Sequence, residues 1–206
     1  MNPLIETKDL EFNKILTYPD MKIFPNQTSF ITGKSGSGKS TLFKLFNKTL
    51  NPSRGKVFYN NNDIAELNTL ELRKEILLVG QSVFLFDKNI RDNFSEYYTY
   101  LDKKTPNDDL IKKYLGICCA DFSLDKDCIS MSGGERHRVY LAICISLLPK
   151  VLLIDEPTAA LDTLNSIKLI ENLLNFSKEN FLTMLIISHD QALTETFSQQ
   201  TIKIGE

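Results

Sequence analysis

The run Gly33-Lys34-Ser35-Gly36-Ser37-Gly38-Lys39-Ser40-Thr41 fits the phosphate-loop pattern G-x-x-x-x-G-K-[ST]. Its chemistry follows from the residue types. Glycines let successive backbone N–H groups turn inward and close on phosphate oxygens, where side chains would obstruct them. A helix starting at the end of the loop adds its partial positive charge. Lys39 is then placed to reach β- and γ-phosphates, and the Ser40 hydroxyl to reach Mg²⁺. The plain alternative is a glycine-serine surface loop. The flanks argue against it, because residues 28–32 read as a strand and residues 42–46 as the start of a helix.

Four other groups carry chemistry. Asp155 and Glu156 end the apolar run 151–154. Asp155 is expected to hold Mg²⁺ through a water, opposite Ser40, and Glu156 to polarise an attacking water as general base. Alone, such a pair is as easily two solvated charges; joined to a phosphate loop it gains meaning. His189 follows the next apolar run, 182–187, and is placed to contact a γ-phosphate unless it is a capping or surface histidine. Gln81 directly follows the run 76–79 and suits orienting a nucleophile or ligating Mg²⁺; its bland reading is a polar loop residue. Ser132-Gly133-Gly134 is a second anion-binding design, with a capping serine and glycines that expose N–H groups at a helix start. Ser132 and Glu135 have capping-box spacing, so a merely well-capped helix is the alternative. With one phosphate loop already present, a second such surface makes sense if it completes the site of another molecule.

The elements that must position these groups are legible in outline. Residues 4–12, 28–32, 56–59 and 76–79 read as strands, 60–63 as a turn and 70–74 as a short helix. Residues 90–130 mix aromatics with charges and predict helices near 90–97 and 107–116, in a helical insertion. A helix from 132 to 148, apolar on most faces, is closed by Pro149. Continuous apolar runs at 151–154 and 182–187 predict buried parallel strands, separated by a helix over about 164–178. Strand and helix alternate through the second half, which predicts an α/β core with a parallel sheet.

Composition narrows the classes. The chain has 206 residues, 42% hydrophobic and 24% charged, which suits one domain with a real core. A net charge of −2 gives no basic footprint, so no nucleic acid is expected as partner. Cys118, Cys119, Cys128 and Cys144 show no C-x-x-C spacing and read as reduced thiols. The N-terminus lacks a signal-peptide pattern, and no apolar run approaches the roughly 20 residues that span a bilayer. Any membrane role must therefore come through a partner.

Taken together, the phosphate loop, Gln81, Met131-Ser132-Gly133-Gly134-Glu135, Asp155-Glu156, Asp162 and His189 have the order and spacing of an ABC-type ATPase, the nucleotide-binding subunit of ABC transporters. The chain resembles that family over essentially its whole length. By this likeness Gly33, Ser35, Gly36, Ser37, Gly38, Lys39, Ser40 and Thr41 belong to the Walker A loop, and residues 151–156 are Walker B. Gln81 is the Q-loop glutamine, Ser132 to Glu135 the signature, Asp162 the D-loop aspartate and His189 the switch histidine. Lys39, Gln81, Glu156 and His189 would serve catalysis; Ser40, Gln81 and Asp155 would hold the metal. The implied cofactors are ATP and Mg²⁺. The implied fold is a P-loop NTPase core with a mostly parallel sheet, an N-terminal antiparallel β subdomain and an inserted helical subdomain near 82–148, all within one domain spanning 1–206.

The family works as head-to-tail pairs of subunits, homo- or heterodimeric, each ATP lying between one subunit's Walker loops and the other's signature. Such pairs drive a separately encoded membrane permease from the inner face of the cell membrane, so the resemblance implies a cytoplasmic, peripheral protein. Residues 85–93 look closer to exporter-type subunits. Met131 stands where leucine is usual, Glu135 where glutamine is usual, and Ala159 where serine is often found. Phe12 and Tyr18 both compete to stack on adenine, with Phe12 preferred. The alternative function is a soluble ABC ATPase of DNA repair or translation. Those relatives tend to carry paired ATPase domains or a coiled-coil insertion, which this sequence does not show. A non-hydrolysing binding module is disfavoured by Glu156 and His189, and a small-molecule kinase by the Ser132 helix start.

Overall fold

The computed structural model describes residues 2–205. In chain order they form β1 (Ile5–Phe12), β2 (Leu16–Thr17), β3 (Lys22–Ile23), β4 (Thr28–Thr32), α1 (Lys39–Phe46), β5 (Arg54–Tyr59) and β6 (Asn62–Asp63). Next come α2 (Thr69–Glu75), β7 (Ile76–Val79), α3 (Ile90–Tyr100), α4 (Asp108–Ile117) and α5 (Gly133–Ser146). The chain closes with β8 (Val151–Asp155), α6 (Thr163–Glu179), β9 (Thr183–Ile187), α7 (Gln191–Phe197) and β10 (Gln200–Lys203). The structure divides into two compact units. One contains the chain up to Gly80, Pro149–Glu156 and the residues from Ser177 on; the other contains Gln81–Leu148 and Pro157–Phe176.

The first unit holds two sheets. A parallel sheet has the strand order β10-β4-β9-β8-β7. Its central strands β8 and β9 are buried at every residue, which is why they read in sequence as unbroken apolar runs. Asp155 pairs with Ile187, and Ile31 pairs with Ile187 from the other side. This register brings the carboxyl ends of β4, β8 and β9 to one level. The three loops that leave those ends are the phosphate loop, Glu156 and Ser188-His189. Ligands of open α/β sheets bind at that edge. Helix α1 buries Leu42, Phe43, Leu45 and Phe46, which anchors the far side of the phosphate loop.

The second sheet is antiparallel, built on the pairing of β1 with β5. The strand expected at 56–59 begins earlier, at Arg54, because Arg54 pairs with Glu11 across a register shift. Gly55 makes this possible: its φ is +76°, and a Cβ there would lie 2.1 Å from the Asp9 carbonyl oxygen. The turn expected over 60–63 is tighter. Asn60 and Asn61 alone form it, at φ 49° and 63°, while Asn62 and Asp63 already pair back as β6. Two asparagines at positive φ suit a two-residue hairpin loop.

The second unit is helical. Asn89 and Asn107 cap α3 and α4, and Ser132 with Glu135 forms a complete capping box on α5. Ile90, Phe94, Ile111, Leu115, Val139 and Leu141 are fully or almost fully buried. The Tyr98 hydroxyl donates to the Ser146 carbonyl at 2.8 Å and closes the end of α5. Helix α5 stops at Ser146, short of the expected 148, and Leu148 turns to φ 52° before Pro149. Among the described residues no helix is long and apolar enough to cross a membrane.

Candidate functional site

The phosphate loop opens at the end of β4. Gly38, at φ 91°, precedes α1 and supplies no side-chain cap, so the first N–H groups of the helix stay available to a ligand. Lys39 spans the loop: its ammonium donates to the Gly33 carbonyl at 2.9 Å and the Lys34 carbonyl at 3.0 Å. Burial lowers its pKa, partly offset by the charges of Glu156 and Asp155. Tyr18 lies beneath the loop. Its hydroxyl donates to the Gly38 carbonyl at 3.0 Å, and burial pushes its pKa up to about 12. Tyr18 is 6% exposed, so it is not a stacking surface for a base; its ring is a buttress under the loop. Phe12 is half-buried at the end of β1 and packs against the core of the unit.

Asp155 ends β8 and is 4% exposed. Burial raises its pKa, while the Ser40 hydroxyl, within hydrogen-bonding reach, lowers it. Its Oδ1 has no hydrogen-bond partner. An unsatisfied buried carboxylate oxygen beside a hydroxyl is costly alone, and a hard, oxygen-seeking cation would satisfy it. The pair fits Mg²⁺. A carboxyl whose folded pKa is raised destabilises the fold once ionised, so this part of the stability is lost as pH rises through that pKa. Asp155→Asn is therefore expected to raise the nucleotide-free melting temperature at neutral pH by about 2–4 °C, and to remove the extra stabilisation Mg²⁺ gives in the presence of ATP. Differential scanning calorimetry with and without each ligand checks both.

Glu156 leaves the sheet at φ 53°, a left-handed conformation costly for a residue with a Cβ. Its N–H donates to the Ile187 carbonyl at 3.1 Å, which fixes it against β9. Its Oε1 lies 2.9 Å from His189 Nε2, so the imidazole and the carboxylate are in direct contact. Beside them Thr32, Gly33 and His189 border an open cleft of about 570 Å³, reachable from solvent. Lys39, Ser40, Asp155, Glu156 and His189 thus share one unit and one sheet edge.

The remaining expected residues lie in the helical unit. Gln81 is exposed at its start. Ser132 and Gly133 are exposed at the start of α5. Ser132 Oγ accepts from the Glu135 N–H at 3.3 Å, and Glu135 Oε2 accepts from the Ser132 N–H at 2.8 Å. A Cβ on Gly134 would sit 2.5 Å from the Ala160 Cβ, so glycine lets the helix start approach the turn at 158–161. Asp162 caps α6, accepting from the Asn165 N–H at 2.9 Å. Three side chains here make contacts that had no signal in the sequence. Lys126 is 2.8 Å from Glu135, and Arg136 donates to the Cys128 and Leu85 carbonyls at 2.6 and 3.2 Å. Asn93, fully buried, accepts from the Phe86 N–H at 2.8 Å and donates to the Phe86, Lys88 and Asn89 carbonyls.

Comparison with known proteins follows the same lines. The family profile described as ABC transporter matches residues 16–159. The phosphate import ATP-binding protein PstB 1 of Streptococcus mutans is 34% identical across 97% of this chain and 85% of its own length. The solved structure of CbiO1 from Clostridium perfringens, part of the ABC transporter complex CbiONQ, superposes with a TM-score of 0.82 at 27% identity, covering 99% of this chain and 85% of that one. A dimeric, post-hydrolysis ATP-binding cassette bound to ADP and phosphate superposes with a TM-score of 0.84 at 22% identity, over 97% and 94% of the two chains, and supports the fold. This chain belongs to the ABC transporter family, as an ATP-binding and ATP-hydrolysing subunit.

Proposed function

We propose that the chain is one ABC ATPase domain, with the helical unit as an inserted subdomain, that binds Mg²⁺–ATP between two subunits and powers a separately encoded permease. The observation that carries the catalytic reading is the 2.9 Å contact of His189 with Glu156, next to Asp155 and its unsatisfied oxygen. Glycine-loop N–H groups and Lys39 hold the phosphates of ATP. Ser40 and Asp155 would hold Mg²⁺, with Gln81 as a further ligand by the family likeness, and the ion would neutralise charge on the transferring phosphoryl group. Glu156 takes the proton of the attacking water as its oxygen bonds to the γ-phosphorus, and ADP leaves. His189 fixes the Glu156 carboxylate and donates toward the γ-phosphate. Phe12 is the aromatic offered to adenine.

Ser132, Gly133, Gly134 and Asp162 of one subunit complete the nucleotide site of the next, another copy or a related chain. PstB 1 is an import ATP-binding protein and CbiO1 a part of a transporter complex, which supports a peripheral subunit held at the inner face of the membrane by its permease. Affinity purification of the tagged chain from its native membranes is expected to bring down a polytopic membrane protein in stoichiometric amount. Recovery of ribosomal or DNA-repair proteins without one would overturn the transport reading and leave the ATP chemistry standing.

A further inference from the structure

The α5 start carries a carboxylate where an anion is to bind. Glu135 is the third residue of the helix, and its Oε2 is committed to the Ser132 N–H at 2.8 Å. It cannot turn away without breaking the capping box. An acidic side chain held beside a site for a triphosphate repels its own ligand. The structure contains the compensation. Lys126 Nζ bonds Glu135 Oε1 at 2.8 Å and is itself seated 4.3 Å over the Phe122 ring. Its backbone is fixed too: the Lys126 N–H donates to the Ser123 carbonyl at 3.0 Å, and its carbonyl accepts from the Ile90 N–H at 3.2 Å. Both side chains are largely covered, 31% and 25% exposed, so this is not a loose surface pair.

We infer that Lys126 is a positioning residue for the ATP sandwich: it neutralises and locks Glu135, so that the Ser132–Gly134 helix start presents N–H groups and a hydroxyl, and no net negative charge, to the γ-phosphate held by the other subunit. This rests on the reading that the helix start completes a neighbouring site. The depressed Glu135 carboxyl, held down to about 2 by the Lys126 hydrogen bond and then the Ser132 N–H, agrees with a carboxylate that stays ionised at any working pH. Lys126 acts through Glu135 and makes no contact with the reacting atoms.

The test uses the purified ATPase–permease complex. Lys126→Met is expected to raise the ATP concentration for half-maximal hydrolysis by about five- to tenfold, the effect of one uncompensated charge near a polyanion, with little change in maximal rate. The affinity of the isolated chain for a fluorescent ATP analogue should stay at the wild-type value, because the phosphate loop is untouched. The deciding variant is Lys126→Met combined with Glu135→Gln. Gln keeps the cap acceptor and removes the charge, so the double variant should return to within about twofold of wild type. A lysine that merely supports the fold would leave the double variant as impaired as the single one. An unchanged half-maximal concentration in Lys126→Met, or no rescue, overturns the inference. If Ser132→Arg also leaves the ATP-bound pair intact, the neighbouring-site reading itself has failed; if only the Lys126 variants behave as wild type, that reading survives.

Discussion

Glu156→Gln is expected to lower steady-state ATP hydrolysis by about 10²- to 10⁴-fold while leaving ATP affinity within a factor of two. The amide is nearly isosteric and can still meet His189, but it cannot accept the proton of the attacking water. The backbone argues in the same direction. Glu156 sits at φ 53°, a conformation that disfavours a side chain, and is held there by its N–H bond to Ile187 and its contact with His189. These two bonds set the carboxylate beside His189 at the sheet edge. Single-turnover hydrolysis separates the two parts of the claim. Binding should be normal, and the chemical step slow. A rate close to wild type would remove Glu156 as the general base and leave Asp155 and His189 to be tested in its place.

Ser132→Arg is expected to abolish ATP-driven association of the subunits, with monomer affinity for the nucleotide unchanged. Ser132 is exposed, and its hydroxyl, which accepts from the Glu135 N–H at 3.3 Å, has a second lone pair to offer or a proton to donate to a phosphate. An arginine at this position fills the approach with a long side chain and removes the cap acceptor. The cap itself is worth about 1 kcal/mol, too little to unfold the helical unit, whose core of Phe94, Ile111, Leu115 and Leu141 is intact. Light scattering with a non-hydrolysable ATP analogue reads the association directly, and circular dichroism checks the fold. An unchanged ATP-bound pair would show that the helix start serves only as a cap.

The strands that hold the site were the most legible part of the chain. Residues 151–154 and 182–187 are continuous apolar runs because both faces of β8 and β9 are covered, and burial on both faces leaves no polar alternation to confuse the reading. The capping box was legible for the same local reason: Ser132 and Glu135 are three residues apart and need only a helix to meet. The two-residue strands β2, β3 and β6 were not, since so few residues carry no periodicity. Neither were α7 and β10, short runs that bury Leu193, Thr194 and Ile202 among polar neighbours. Tyr18 shows how sequence misleads about role. An aromatic shortly before a phosphate loop invites a stacking function, and only its burial and its bond to Gly38 show that it supports the loop from below. The pairs His189–Glu156 and Lys126–Glu135 join residues far enough apart that only the fold brings them into contact.

The clasp made by Arg136 and Asn93 has a mechanical meaning. Arg136 grows from the first turns of α5 and grips the carbonyls of Leu85 and Cys128, while Asn93, from α3, ties down residues 86–89. The stretch that follows Gln81 is therefore not a free loop. It is fastened at several backbone points to the same body that carries Ser132, and breaking these bonds inside the unit would leave buried polar groups unmet. Residues 85–89 and the first turns of α5 are thus tied into one piece by side-chain bonds to backbone carbonyls, much as a latch holds two panels.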